Sequence, residues 1–223
     1  MITLLFLAAA AAWLYTRWTR RPRTGAGSSC DARARQLRTP AVRVADTLNI
    51  PTQRGALARR AEIGAEGERA TAALIDPLHR RGWVIMHSLA LPTGRTDVDH
   101  LAISPTGTVI LPDTKKWPSR YRVRVHGGRL YHGAHDVTDR LNGLRRGAAA
   151  VSTALKVPVI PLVVMHGAPI EGGELTVDGI RIIPADRVAD VLDRLGRART
   201  GYNPHALADR ARTHFPPYTR KHR

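Results

Sequence analysis

Two strands joined by a turn are predicted between Asp97 and Lys115, where the chain reads D-V-D-H-L-A-I-S-P-T-G-T-V-I-L-P-D-T-K. Pro105-Thr106-Gly107 favours a turn, and β-forming residues lie on both sides of it. A hairpin in which opposed residue numbers sum to about 212 sets Asp99 opposite Asp113. The same register sets Asp97 opposite Lys115, and all four share one face because side chains alternate along a strand.

This face is predicted to be apolar near the turn and charged at its far end. The apolar residues on it are Leu101, Ile103, Val109 and Leu111. Clustered carboxylates beside a buried surface are costly unless a cation is held there, because like charges repel and burial disfavours ions. Asp99 and Asp113 are oxygen ligands of the kind that Mg²⁺ takes, and Lys115 is placed to orient or help deprotonate a water. The pattern predicts phosphodiester hydrolysis; a solvated strand end with weakly paired charges is the alternative.

Composition limits the class of protein. The 223 residues suffice for one ordinary domain with appendages, and a single cysteine, Cys30, excludes a disulfide framework and zinc sites built on cysteine pairs. The net charge is +17, of which +9 lies in the first 60 residues. Such a balance attracts phosphates of nucleic acid or of anionic lipid, although a solvated arginine-rich surface is an equal alternative.

The N-terminus is predicted to be a transmembrane anchor. Residues 1–18 read M-I-T-L-L-F-L-A-A-A-A-A-W-L-Y-T-R-W, with no charge before Arg17. A helix of this length spans roughly 26 Å, just enough for the hydrocarbon core. A cleaved signal peptide is less favoured, because a basic leader is absent. Arginines after the span predict a single-pass protein of the cell membrane with its C-terminal domain in the cytoplasm.

The rest of the chain divides into three parts. Residues 19–55 are interpreted as a basic linker without sustained periodicity, residues 56–166 as the main domain, and residues 167–223 as an extension that packs on it and ends in a basic tail. A helix is predicted over residues 56–81, ended or kinked by Pro77, with one apolar stripe. The stripe consists of Ile63, Ala70, Leu74 and Leu78.

The other predicted elements give the fold class. Strands are expected over residues 83–91, 121–125, 129–131, 159–165 and 180–183, and helices over 139–155, 186–195 and from Pro204 onward. The order of helix, antiparallel strands, helix, strand and helix predicts an α/β fold with a mixed central sheet flanked by helices.

A basic stripe follows the predicted hairpin. Arg120, Arg122 and Arg124 alternate with apolar and aromatic residues, so one strand face is positively charged. Together with Lys116 they are predicted to bind a nucleic-acid backbone, and a merely solvated face is the alternative.

Three short motifs resemble the nuclease-related domain, NERD, a relative of the PD-(D/E)XK restriction-type nucleases. They are G-A-E-G-E at residues 64–68, D-V-D-H at 97–100 and D-T-K-K-W at 113–117. The similarity extends roughly from Gly64 to Leu155. It implies a restriction-endonuclease-like core and a nuclease that cuts DNA, less readily RNA, with Mg²⁺ or Mn²⁺.

The resemblance also implies a role for each site residue. Asp99 is the first metal-binding acid, Asp113 and Lys115 are the acid and lysine of the second motif, and Glu68 is a helical acid that binds the metal through water. Gly64 and Gly67 either allow the helix to approach the sheet closely or merely weaken the helix.

A second hypothesis is a non-catalytic module on the same fold, tethered to the membrane and binding nucleic acid or a protein. Two departures from the family pattern favour it. Pro112 lies inside the strand before Asp113, where it removes a main-chain donor. The helix predicted over residues 139–155 lacks the glutamine that many PD-(D/E)XK relatives carry.

Overall fold

A computed structural model describes residues 25–92 and 97–218. The predicted transmembrane segment, residues 1–18, and the end of the basic tail lie outside the described residues. No helix within residues 25–92 and 97–218 is both long and apolar enough to span a bilayer.

Six strands form one mixed sheet, and three shorter strands form a second sheet. The strands are β1 (Val84–Ala90), β2 (Asp97–Ile103), β3 (Val109–Trp117), β4 (Val123–His126), β5 (Arg129–His132), β6 (His135–Asp136), β7 (Val159–Gly167), β8 (Leu175–Val177) and β9 (Ile180–Pro184). The large sheet has the order β1-β2-β3-β7-β9-β8, and the small one has the order β4-β5-β6. Neighbours β1, β2 and β3 are antiparallel, whereas β3, β7 and β9 run parallel.

Helices pack on both faces of the large sheet. They are α1 (Ser28–Leu37), α2 (Pro40–Thr47), α3 (Gln53–Ile75), α4 (Asn142–Leu155), α5 (Val188–Leu195) and α6 (Pro204–His214). Apolar residues of α4 and α6 share one core cluster with Leu101 and Leu111. Residues of α3 and α5 share the other cluster with Ala102 and Ile110. The predicted α/β architecture, a mixed sheet flanked by helices, is confirmed.

Near the turn the register of the β2–β3 hairpin agrees with the prediction, but the predicted pairings of Asp99 with Asp113 and of Asp97 with Lys115 are not part of the ladder among the described residues. Ala102 pairs with Ile110 and Ile103 with Val109, and the ladder within the described residues comprises these two pairs. Pro112, which has no main-chain N–H, lies two residues beyond Ile110. β3 nevertheless continues as one strand, because it pairs with β7 along its whole length. The two strands therefore fork at the end of the hairpin that carries the acidic residues.

The apolar stripe predicted on the long helix is wrong. Ile63 is 46% exposed and Leu74 is 38% exposed. The buried face of α3 consists mainly of small residues such as Ala58 and Ala65, together with Glu68. Close packing of α3 against α1 and β3 selects small side chains there. The end of the helix is as expected, because α3 stops at Ile75 and continues as a 3₁₀ turn that contains Pro77.

The segment interpreted as a basic linker without sustained periodicity contains two helices, α1 and α2. α2 begins with Thr39, whose side chain accepts a hydrogen bond from the Val42 N–H, and with a proline in its first turn. α1 buries Ala32 and Ala34. Short alanine-spaced helices give little apolar periodicity, which is why the sequence did not reveal them.

Candidate active site

The predicted acidic residues meet at the fork between β2 and β3. The ammonium of Lys115 forms an ion pair with the carboxylate of Asp113, two residues away on the same strand face. On the neighbouring strand, Oδ2 of Asp99 accepts a hydrogen bond of 2.8 Å from the main-chain N–H of Thr114. Glu68 enters from α3 and is only 3% exposed. Glu68, Asp99, Asp113 and Lys115 thus share one site, and Asp97 lies at its edge, near enough to Glu68 to repel it.

The pKa values of the carboxyl groups reflect this crowding. Burial, with repulsion from Asp97 and Asp113, raises the pKa of Glu68 to about 7, although hydrogen bonds from Cys30 and Gly27 oppose the shift. Burial and the charges of Glu68 and Asp113 raise the pKa of Asp99 well above its usual range. The acids therefore destabilise one another's charged forms.

Lys115 is the cation that offsets these carboxylates. Burial acts to lower its pKa, but the adjacent Asp113 and Asp99 carboxylates outweigh burial and raise the pKa. Lys115 therefore stays protonated at neutral pH and acts as a hydrogen-bond donor.

Two carboxylates of the site are ligands of the kind that a hard divalent cation prefers. Mg²⁺ commonly takes one or two carboxylates and completes its shell with water and phosphate oxygens. Asp99 and Asp113 could supply two such carboxylates. A positive ion between them would relieve the repulsion between their charges. No group of three or more His, Cys, Asp or Glu side chains in the described part of the chain is arranged to hold a metal.

The start of α1 forms one wall of the site. The Gly27 N–H donates to Oε2 of Glu68 at 3.1 Å, and the Cys30 thiol hydrogen-bonds the same carboxyl group. Gly27 has a φ of +81°, and a Cβ there would lie 2.8 Å from the carbonyl oxygen of Ala65. A left-handed backbone and close approach both require glycine at this position. The segment interpreted as a basic linker thus contacts the helical acid directly.

The two glycines of the G-A-E-G-E motif allow close packing on two sides of α3. A Cβ at Gly67 would lie 3.1 Å from both Lys116 Cβ and Thr114 Cγ2, so this glycine brings α3 onto β3. A Cβ at Gly64 would lie 3.2 Å from Cys30 Sγ, so this one faces α1 and not the sheet. Of the two readings of these glycines, close approach is the one observed.

Thr114 links the site to a hydrogen-bonded row on the opposite face of β3. Its hydroxyl donates to Thr71 Oγ1 at 2.9 Å and lies 3.2 Å from Nε2 of His100. His100 is fully buried, and burial, reinforced by the nearby His87 and His166, lowers its pKa well below the usual range. A neutral His100 with its proton on Nε2 satisfies the contact with Thr114.

The row continues to the surface at both ends. At one end His100 Nδ1 lies 2.7 Å from Nδ1 of His87, whose Nε2 lies 2.9 Å from Asp76 Oδ1. At the other end Thr71 Oγ1 lies 2.8 Å from Nε2 of His166. The Thr114 hydroxyl, between Asp113 and Lys115, therefore contacts side chains of α3 and β2, and the row continues from these to side chains of β1, β7 and the 3₁₀ turn that follows α3.

Of the predicted nucleic-acid-binding residues, Lys116 lies near the end of β3 and the three arginines lie beyond it. Lys116 forms a 2.6 Å ion pair with Glu66 of α3. Arg120, Arg122 and Arg124 are exposed on β4 and on the loop that precedes it. The structure thus separates Lys116, which is engaged by an acid, from the three arginines.

Sequence reasoning missed the residues that support the acids. Gly27 and Cys30 lie in the presumed linker, and Thr114 and His100 point away from the acidic face. Strand alternation alone places Thr114 and His100 together on the opposite face, so that signal was available. No pattern in the sequence indicates that α1 reaches Glu68.

Comparison with known proteins agrees with the geometry. The NERD family model, described as a nuclease-related domain, matches residues 63–166, which contain Glu68, Asp99, Asp113 and Lys115. No curated protein and no solved structure matches the chain. Residues 63–166 of this chain are thus similar to the NERD, nuclease-related domain, family, which lies in the PD-(D/E)XK-like nuclease superfamily.

Proposed function

We propose that the protein is a nuclease that hydrolyses phosphodiester bonds of DNA with Mg²⁺ or Mn²⁺, on a core of the restriction-endonuclease type. The observation that carries the proposal is the convergence of three carboxyl groups, Glu68, Asp99 and Asp113, on one protonated lysine. Such a cluster is costly for the fold, and it suits a site that receives a cation and a phosphate. The similarity of residues 63–166 to the NERD family supports the same reaction class.

Each residue has a distinct part in the proposed reaction. Asp99 and Asp113 would hold the divalent ion, which when bound polarises the scissile phosphate and acidifies water. Lys115, protonated beside Asp113, donates to the phosphate oxygens and offsets their charge. Glu68, whose pKa is raised to about 7, is suited to accept a proton from the attacking water near neutral pH.

The test compares cleavage by matched variants. Linear, circular and single-stranded DNA, and RNA, are incubated with the wild-type protein and with Asp113→Asn and Lys115→Met, in Mg²⁺, Mn²⁺ or EDTA. Asp178→Asn is the control, because Asp178 is an exposed acid paired with Arg145 away from the site. We expect metal-dependent cuts by wild type and control, and none by the two site variants. Cleavage that persists in Asp113→Asn contradicts the assignment.

A second candidate is a non-catalytic nucleic-acid-binding module. The ion pair between Lys115 and Asp113, with no three-ligand site among the described residues, favours it. This candidate predicts salt-sensitive DNA binding in EDTA and no cuts with any divalent metal by protein shown to be folded.

Membrane attachment is a further part of the proposal. The apolar residues 1–18 and the arginines that follow support a single-pass anchor with the domain on the cytoplasmic side. The test is fractionation: the full chain should sediment with membranes through a carbonate wash, and a form lacking residues 1–18 should not.

A further inference from the structure

Three aromatic rings lie in a row at the end of β3. The Trp117 and His132 ring centroids are 5.2 Å apart, and those of His132 and Tyr121 are 5.5 Å apart with the rings edge to face. Trp117 packs against the core, and Nε2 of His132 lies 3.1 Å from the Pro118 carbonyl oxygen. Tyr121, at the outer end, is 40% exposed. We call Trp117, His132 and Tyr121 the aromatic platform.

The platform is surrounded by positive charge. The guanidinium of Arg120 lies over the Tyr121 ring, 4.8 Å from the ring centroid, so a base that binds there must displace the guanidinium or stack on it. From Lys116 to His132 the chain has five basic residues and no acidic one, but Lys116 is paired with Glu66 and Arg129 with Asp136. Among the described residues, the basic side chains of this stretch without an ion pair are Arg120, Arg122 and Arg124. On β4 and β5, Arg124 lies 5.7 Å from the centroid of the Tyr131 ring, which repeats the pairing of arginine with tyrosine.

The platform adjoins the acidic site. Asp113, Lys115 and Trp117 lie on one face of β3 because they are two residues apart. At about 3.3 Å per residue, Trp117 lies roughly 13 Å along the strand from Asp113. A flexible strand of nucleic acid whose phosphate reaches Asp113 can therefore extend along this face to the rings.

A purely structural role does not account for Tyr121. Trp117 and His132 pack the small sheet against the end of β3, which is a sufficient reason for their burial. Tyr121 is exposed and is held from below by Gly133, where a Cβ would lie 3.1 Å from its ring. A large exposed ring beside several arginines is what base stacking needs.

We propose that the aromatic platform, with Arg120 and Arg122, binds unpaired bases and their backbone, so that the substrate is single-stranded DNA or a single-stranded end. The inference rests on the proposed nuclease function. Every base has a face that stacks on an aromatic ring, but in a duplex those faces are covered by neighbouring pairs. Arginines beside the ring neutralise the phosphates. The ring and the arginines together select an unpaired strand without reading its sequence.

The test is equilibrium binding in EDTA, where no cleavage occurs. The full chain is titrated against a fluorescent oligothymidylate of about 15 nucleotides, and anisotropy gives the Kd. The variants are Tyr121→Ala and Arg120→Ala. Controls are Tyr202→Ala, an exposed tyrosine near the opposite end of β3, and Arg210→Ala, an exposed arginine of α6. Competitors are a duplex of the same length and an abasic oligomer with the same number of phosphates.

We expect Tyr121→Ala to weaken binding roughly ten-fold, and the Tyr202 control to bind like wild type. Tyr121→Phe keeps the ring and should also bind like wild type. Circular dichroism, together with this variant, distinguishes a loss of the ring from misfolding in Tyr121→Ala. The single strand should compete better than the duplex and the abasic oligomer. Equal competition by the abasic oligomer, or equal binding by Tyr121→Ala and Tyr202→Ala, overturns the platform.

Failure of this inference and failure of the nuclease are distinguishable. If cleavage depends on metal but Tyr121→Ala does not affect binding, the proposed role of the platform is contradicted and the nuclease function is supported. Binding that depends on Tyr121, with no cleavage in any metal, leaves the platform as the site of a binding module and removes the nuclease.

Discussion

The main-chain N–H of Thr114 donates to Oδ2 of Asp99 at 2.8 Å, where the β2–β3 ladder is no longer formed. A side-chain acceptor thus takes the place of a carbonyl from the neighbouring strand. The contact joins the acid of one strand to the segment that carries Asp113 and Lys115. The position of Thr114 therefore affects three site residues at once.

Removing the Thr114 hydroxyl should lower activity without unfolding the protein. Thr114→Val keeps the N–H that binds Asp99 but loses the bonds to His100 and Thr71. We expect cleavage to fall about 10- to 100-fold, as for other residues that orient metal ligands, with a smaller change in KM than in kcat. Thr114→Ser should restore most of the activity, and a serine variant as poor as valine contradicts this role.

The raised pKa of Glu68 predicts how the stability of the folded protein depends on pH. Its pKa is about 7 in the folded protein and near 4.5 in an unfolded chain, so the folded state holds the extra proton between these values. The free energy of unfolding therefore falls as the pH rises through that window. In EDTA, Glu68→Gln should be more stable than wild type at pH 8, on the order of 1–3 kcal/mol, and similar to it at pH 4.

Urea unfolding at several pH values checks this expectation. The control is Glu66→Gln on the same helix, because Glu66 is exposed and the Lys116 partner lowers its pKa. The control should not gain stability at pH 8. A Glu68→Gln variant that is less stable than wild type at pH 8 contradicts the assignment of a raised pKa.

Gly27 should tolerate substitution less well than another glycine of similar backbone conformation. Gly27 and Gly201 have φ values of +81° and +76°, but only Gly27 has neighbours within 4 Å of an added Cβ. Gly201→Ala should cost about 1 kcal/mol from its left-handed backbone, and Gly27→Ala about 1–3 kcal/mol more because α1 must move from α3. Thermal unfolding measures the difference, and equal losses contradict the tight contact.

Divalent metal should stabilise the folded protein through Asp99. At a concentration about 100 times the Kd, a ligand that binds only the folded state adds about 2.7 kcal/mol. Mg²⁺ should raise the Tm of wild type and of Asp178→Asn, but not of Asp99→Asn. An identical rise in Asp99→Asn places the metal elsewhere, independently of any cleavage assay.

The hairpin and its acids could be predicted because they depend on local rules. Strand alternation and one turn give the 102–110 pairing and set Leu101 and Leu111 on the same core face. Asp99 and Asp113 follow from that register. Pro112 did not disrupt β3, because parallel pairing with β7 holds the strand from its other side. That support comes from a strand nearly 50 residues away and has no local signal.

The residues that support the acids could not be predicted, because long-range packing positions them. α3 buries alanines and glycines where an apolar stripe was predicted, because α1 and β3 both lie within van der Waals contact of it. Gly27 meets Glu68 across 41 positions of sequence. Helical periodicity reports which face is apolar, but it carries no information on how closely a second helix can approach.

The contact between Gly27 and Glu68 determines where the chain can be shortened. A truncation that begins at residue 25 keeps the donor and the Cys30 thiol, whereas one that begins at Pro40 removes both together with α1. Glu68 would then be more exposed to water, and its pKa would fall because burial is the main cause that raises it, although repulsion from Asp97 and Asp113 would remain. Two soluble fragments with the same acids and the same lysine would therefore have different pH optima, although the residues that distinguish them look like a spacer in the sequence.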